Sequence, residues 1–166
     1  WCGIPTRGGV VLDCRVISMK PEIIAECGTA YGVTDNRSIM SRTVDLVHRC
    51  AAAGADTVKF QLFVPDEPLF CPMEGDDARW PRWLASCLTR DEWRWIRSEC
   101  RIAKIEFLVS VFQHGGLKMA KELGCTRIKV ASRARDTFPY RDWAGEFLIS
   151  VVAPAHSGAW RTIETR

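Results

Sequence analysis

Residues 57–63, Thr57-Val58-Lys59-Phe60-Gln61-Leu62-Phe63, form a run rich in β-formers that begins three residues after Gly54. Side chains alternate across a strand, so Lys59 and Gln61 share one face while Val58, Phe60 and Leu62 share the other. Helical patterns lie on both sides of this run. Between Ser38 and Ala53 the residues Ile39, Leu46, Val47 and Cys50 fall mostly on one stripe, and Gly54 suits the position just past a helix end. Downstream, Thr89-Arg90-Asp91-Glu92 has the capping-box pattern and predicts a helix to about Lys104. A strand set between helices in this way belongs to a parallel β/α repeat.

The same alternation extends in both directions. Ile23-Ile24-Ala25-Glu26-Cys27, ending at Gly28, reads as a buried strand. Glu106–Phe112, Arg127–Ser132 and Phe147–Val152 read as three more, with helices expected over Gly116–Leu123 and Tyr140–Ala144. Such a chain fits a doubly wound sheet or a (β/α)8 barrel, and no GxGxxG follows the first strand to favour the former. A closed barrel has eight units in about 250 residues. The expected fold is therefore α/β, a partial (β/α) TIM barrel of about five parallel units over residues 21–153. Residues 1–20 are expected to be an extension or short hairpin, with Val10-Val11-Leu12 as a candidate strand, and 154–166 a tail. Residues 64–88, with several Pro and Trp, are expected to be a long loop: a lid, a protein contact or, as the preferred reading, a packed surface loop.

Composition narrows the function classes. The chain has 166 residues, 47% hydrophobic and 26% charged, as in a globular domain rather than a disordered one. A net charge of +3 with scattered Lys and Arg gives no basic stripe, so no nucleic-acid partner is expected. No apolar run approaches the roughly 20 residues that span a bilayer, so no membrane role is expected. The start, Trp1-Cys2-Gly3-Ile4-Pro5, has neither an initiator Met nor a signal-peptide layout, and suggests a processed or partial chain. Among eight cysteines there is no CxxC or zinc spacing; Cys27, Cys50, Cys100 and Cys125 sit in or beside apolar segments, which points to reduced thiols and a cytoplasmic location.

The chemistry begins with lysines inside strands. Both faces of a parallel sheet are covered, so its strands should be nearly all apolar. Lys59 breaks that rule, and Lys129 breaks it again between Ile128 and Val130. Burying an ammonium without a partner is costly. Each lysine therefore pairs with a carboxylate such as Glu26, snorkels from a strand end, or faces an anionic ligand. Glu26, Ser110, Ser132 and Ser150 fall at the same carboxyl end of the strands, where barrel active sites gather. Together these groups suit a polyanionic small molecule. His48, His114 and His156 have no metal-ligand spacing with one another, and no metal residue is assigned. His48 is expected to be solvated.

These residues carry a resemblance. Ile23-Ile24-Ala25-Glu26-Cys27-Gly28 resembles the "IAEIG" strand of the N-acetylneuraminate (sialic acid) synthase family, and Ala53–Gln61 resembles its "AGADAVKFQ" segment. Leu88–Phe112 tracks "LSxEDWxxLxxYCxxKGIEFLSTPF"; Arg127–Ser132 resembles "xYKIAS", and Leu148-Ile149-Ser150 the start of "VILSTGM". The resemblance runs in order from about Pro21 to Ala153. It implies a TIM-barrel transferase that condenses phosphoenolpyruvate with an N-acetylated aminosugar such as N-acetylmannosamine, giving a nonulosonic acid in sialic acid biosynthesis. It further implies that Lys59, Ser110, Lys129, Ser132 and Ser150 cradle phosphoenolpyruvate, Gln61 contacts the sugar, and Glu26 is catalytic at the reacting centre. A divalent metal, Mn or Mg, is implied to polarise the aldehyde, with its histidine ligands on later strands outside this chain.

Departures from the family pattern define an alternative. The family's "NHNG" loop is here Thr29-Ala30-Tyr31-Gly32, its "GEITNxP" loop is Arg133–Pro139, and its "TGM" is Val151-Val152-Ala153. The alternative is a catalytically inactive, truncated barrel that serves as an anion-binding or protein-interaction module. An open barrel exposes strand edges, so a homo-oligomer, or cover by another chain, is expected in either case.

Overall fold

Strands and helices alternate through the computed structural model, which describes residues 20–32 and 38–150. In chain order these are β1 (Ile24–Gly28), α1 (Ile39–Ala52), β2 (Thr57–Leu62), α2 (Asp76–Leu84), α3 (Arg90–Ile102), β3 (Glu106–Val111), α4 (His114–Glu122), β4 (Arg127–Val130) and β5 (Glu146–Ile149). The five strands make one sheet in the order β1-β2-β3-β4-β5, and every neighbouring pair is parallel. This order settles the choice of layout. A doubly wound sheet reverses its direction of growth partway; here each strand is added on the same side, as in the arc of a (β/α) barrel. The candidate strand at Val10–Leu12, the tail and Val151–Val152 lie outside the described residues.

Local sequence explains the elements. The Ser38 hydroxyl caps α1 by accepting from Ser41 N–H, and Gly54 leaves the helix at φ +83°, a left-handed conformation that glycine adopts without a Cβ clash. Thr89 and Glu92 form the full capping box of α3. Boundaries moved little from expectation, apart from two places. The expected helix at 140–144 is a single 3-10 turn, Tyr140–Asp142. The expected loop at 64–88 contains α2, a two-turn helix with Pro81 inside it. Pro81 and the dense Trp/Arg sequence masked its periodicity.

One face of the sheet packs on the helices. Val58, Phe60 and Leu62 of β2, Val109 and Val111 of β3, and Ile128 and Val130 of β4 are fully buried. They meet Val47 of α1, Trp93, Ile96 and Cys100 of α3, and Leu117 and Ala120 of α4. Trp93 sits at the centre, with ring centroids 5.9 Å from Tyr31, 5.7 Å from Phe60 and 6.0 Å from Phe107.

The other face, the barrel interior, carries polar residues at both ends. At the amino end Arg127 binds Glu22 at 2.5 Å and Glu106 at 2.7 Å, while Thr57 donates to Glu22. Hydrogen bonding to Glu22 holds Arg127 even more firmly protonated than usual. This network satisfies the charges placed at the strand starts and is structural. It leaves the carboxyl end as the place for a site.

Candidate functional site

The sequence puts Glu26 and Lys59 on adjacent strands, and the register places them side by side. Lys59 Nζ lies 2.6 Å from Glu26 Oε2. The other carboxylate oxygen accepts from Gly28 N–H at 2.9 Å. Gly28 makes this possible: at φ +55° it shifts the β1–β2 register and turns its amide back toward Glu26. Of the alternatives open to Lys59, carboxylate pairing is therefore the one the fold adopts.

Lys129 is different. In register it stands between Ser110 of β3 and Leu148 of β5, and Ser110 in turn stands beside Gln61. Among the described residues Lys129 makes no ion pair or hydrogen bond. Burial pushes its pKa below the ordinary lysine value, and the nearby charge of Lys59 adds to the shift, partly offset by Glu26. Two ammonium groups thus share one carboxylate in a half-buried space. Ser110 is buried at the same level, 1% exposed. Ser132 begins the 3-10 turn after β4, and Ser150 follows β5 with its N–H donating to Val130 O at 3.3 Å. Of the six residues that the resemblance assigns to the substrates, Gln61, Ser110 and Lys129 stand next to last in β2, β3 and β4, Ser132 and Ser150 follow β4 and β5, and Lys59 lies mid-strand in β2 beside Glu26 in the middle of β1.

The sequence reading missed the wall opposite. The carboxyl-end mouth opens into a cavity of about 370 Å³ lined by Glu26, Gly28 and Gln61 on the strand side and by Arg79, Arg82 and Trp83 of α2 on the other. The i, i+3, i+4 spacing of those α2 residues was the available signal. Three sets of contacts fix the segment between β2 and α3 here. Trp83 stacks on Phe63 with centroids 4.7 Å apart, and Phe63 stacks on Phe112 at 4.8 Å. Asp76 at the start of α2 binds the Arg133 guanidinium, which also donates to Cys71 O. Buried Gln113 bridges Val64 and Glu67 through three hydrogen bonds. The segment is a packed wall rather than a loose loop.

The hydrogen bond from Arg133, chiefly, holds the Asp76 carboxyl down to about 2. A carboxylate with a depressed folded pKa stabilises the fold above its unfolded value, about 3.9, and that stabilisation is lost as pH falls through 2. Melting followed from pH 5 to pH 2 should show this loss, and Asp76→Asn should flatten that part of the curve while lowering stability at pH 7.

Other groups near the mouth are quiet. The Cys27 thiol lies 3.7 Å from that of Cys50, and burial pushes its pKa up to about 12, so neither its charge state nor its setting suits a nucleophile. His48 is exposed, as expected, and bonds Glu99 at 3.2 Å, tying α1 to α3, and His114 meets Phe70 edge to face. His156 lies outside the described residues. Among the described residues no cluster of three or more His, Cys, Asp or Glu is placed to hold a metal, and no helix is long and apolar enough to cross a membrane.

Comparison with known proteins agrees with this architecture. The model of the NeuB family matches residues 46–147. No curated protein matches the chain. Among solved structures, an N-acetylneuraminic acid (sialic acid) synthetase from Leptospira borgpetersenii serovar Hardjo-bovis, in complex with citrate, superposes with a TM-score of 0.52 at 22% identity, over 66% of this chain and 35% of that one. The spore coat polysaccharide biosynthesis protein SpsE from Bacillus subtilis gives 0.50 at 24% identity, over 67% and 29%. The chain spans about a third of the length of these two structures. At such identities the likeness is one of fold.

Proposed function

The chain belongs to the NeuB family, and from that premise we propose that its strand-end lysines form the phosphoenolpyruvate half of a sugar-acid synthase site. The reaction would join the enolpyruvate methylene carbon to the aldehyde carbon of an N-acetylated aminosugar such as N-acetylmannosamine, with one water consumed as the phosphate ester is lost, releasing inorganic phosphate and yielding a nonulosonic acid. One observation carries this reading: Lys59 and Lys129 share a half-buried mouth with a single carboxylate, Glu26. The surplus positive charge suits an anionic guest.

Each residue then has a part. Lys129, without a partner among the described residues, takes the phosphate or carboxylate directly. Lys59 divides its three donors between Glu26 and the guest. The hydroxyls of Ser110, Ser132 and Ser150 donate to the remaining anionic oxygens. Donors already fixed by strands stabilise developing charge without reorganising. Gln61, one strand over from Ser110, holds the sugar, and Glu26 sits nearest the attacked carbonyl and handles its proton.

The family implies a divalent cation, manganese or magnesium. The described residues do not fit one, because the only carboxylate at the mouth has both oxygens engaged and lies beside lysines. The same engagement favours a second reading, a module that binds an anion or a protein without turnover. The outer strands β1 and β5 of the described sheet suit cover by a second copy or another chain. The six cysteines among the described residues, all free thiols, suit a reducing cytoplasm.

Isothermal titration with phosphoenolpyruvate, followed by a phosphate-release assay with N-acetylmannosamine and manganese, separates these readings. Binding with release is expected of the synthase. Binding without release supports the anion-binding module, and absence of binding removes both of these and leaves a protein-binding one.

A further inference from the structure

Cys27 and Cys50 bring two free thiols together, with Sγ atoms 3.7 Å apart and both side chains partly exposed. They take no part in the reading above. Cys27 belongs to β1 and also lines the cavity at the mouth, while Cys50 lies in the last turn of α1. Bonded sulfurs stand about 2.05 Å apart, so closing this pair takes an approach of about 1.7 Å. The fold supplies the slack. Pairing with β2 passes from Glu26 opposite Lys59 to Gly28 opposite Phe60, so Cys27 is the bulged residue that β2 skips. Among the described strands β1 is also an outer one, with β2 as its sole neighbour.

We infer that Cys27 and Cys50 form an oxidation site, closed to a disulfide by a hydroperoxide, and that closure draws Glu26 away from the reacting centre. The covalent step stands on the thiol pair alone; its consequence for turnover rests on the synthase reading. Cys50 as thiolate attacks one oxygen of hydrogen peroxide, giving a sulfenic acid and a hydroxide that takes up the proton Cys50 lost. The Cys27 sulfur then attacks the Cys50 sulfur, and the Cys27 proton leaves with the sulfenic hydroxyl as water. Two thiols and one hydrogen peroxide thus give one disulfide and two waters, with two electrons passing from sulfur to the peroxide oxygens. Burial, chiefly, pushes the Cys27 pKa up to about 12, which makes it a poor nucleophile toward a free reagent. Here it meets a sulfur held beside it at high effective concentration, and the Cys50 charge that helped to hold its proton is gone. In a reducing compartment such a bond is transient, as in redox sensing.

The link reaches the mouth through the neighbours of Cys27. Gly28 N–H donates to one Glu26 oxygen at 2.9 Å, and Lys59 binds the other at 2.6 Å. Drawing Cys27 toward α1 moves both of the residues that flank it. Lys129 stands on β4, beyond β2 and β3, and keeps its place. A misplacement of about 1 Å at a reacting group costs up to about 100-fold in rate. Oxidation therefore slows turnover and spares anion binding.

The test treats the intact chain with a few equivalents of hydrogen peroxide and maps its peptides without reduction. A Cys27–Cys50 linked peptide is expected, and dithiothreitol should remove it. Phosphate release with phosphoenolpyruvate, N-acetylmannosamine and manganese should fall at least about tenfold, while phosphoenolpyruvate binding stays within about threefold. Both effects should reverse with dithiothreitol, and Cys50→Ser should be insensitive to peroxide. No Cys27–Cys50 peptide, or a link from Cys50 to Cys100 in its place, overturns the inference. So does release that is unchanged in the linked chain, or a loss of release that persists in Cys50→Ser. The Gly28 amide resonance keeps the two readings apart, because it reports the bond to Glu26 without any substrate. If the reduced chain releases no phosphate, the synthase reading falls and this resonance decides. A shift on oxidation that dithiothreitol reverses keeps the switch, and an unmoved signal removes it.

Discussion

Replacing Lys129 by Met should raise the melting temperature by about 3 °C while weakening phosphoenolpyruvate binding by about 100-fold. The two effects share a cause. Lys129 is half-buried between Ser110 and Leu148, and among the described residues no carboxylate pairs with it. Its charge is paid for in desolvation and in repulsion from Lys59. Met retains most of the aliphatic stem without the charge, and relief of about 1 kcal/mol corresponds to about 3 °C in a domain of this size. Loss of a charged hydrogen bond to the ligand costs about 1.5–3 kcal/mol, or about 10- to 100-fold, and the upper end applies in a half-buried site.

The pH dependence has a definite sign. A lysine with a depressed folded pKa penalises the fold wherever it is charged. Between its folded and unfolded values the unfolded chain binds more protons, so its contribution to stability rises with pH until about 10.4. Melting of wild type and Lys129→Met at pH 7 and pH 10.5 should show the variant's advantage shrinking at the higher pH. A variant that is less stable at pH 7 would show that Lys129 has a partner within the folded chain.

Replacing Trp93 by Ala should cost about 3–5 kcal/mol, a large part of the 5–15 kcal/mol that holds a domain of this kind together. Trp93 is fully buried where α3 meets β2, β3 and Tyr31, so no rearrangement of a single neighbour fills the space. Trp93→Phe should cost much less, about 1–2 kcal/mol. Its indole N–H is buried without an acceptor, so the smaller ring removes volume and no hydrogen bond. Urea unfolding distinguishes the two substitutions by the midpoint each gives. Equal midpoints for Ala and Phe would show that α3 does not organise the core as described.

These contacts show what a linear sequence carries and what it does not. The strands were legible because β-formers interrupted by Gly54 and Gly124 stand between helical stripes, and Lys59 and Lys129 stood out because they break the apolar rule of a parallel sheet. Pairing of Lys59 with Glu26 was one of several open alternatives. Choosing among them needed the register of β1 against β2, which turns on the left-handed Gly28. The sequential strand order, and with it the barrel arc, likewise comes from pairing between distant segments. α2 was hidden because Pro81 and a Trp/Arg-rich stretch obscure its short period. Its anchor, Arg133 on Asp76, spans 57 residues and has no sequence signature at all. Arg79 and Arg82 therefore entered the site only once the fold had brought α2 to the mouth.

On the proposed reading Lys129, without an ion pair or hydrogen bond among the described residues, awaits an anion at the mouth. The most direct measurement is the pKa of its ammonium group, followed by nuclear magnetic resonance of isotopically labelled lysine with and without phosphoenolpyruvate. Below the ordinary lysine value in the free protein, it should rise on addition of the ligand, because a bound anion favours the charged form. An ordinary value in the free protein, or one that does not move when phosphoenolpyruvate is added, would contradict the account.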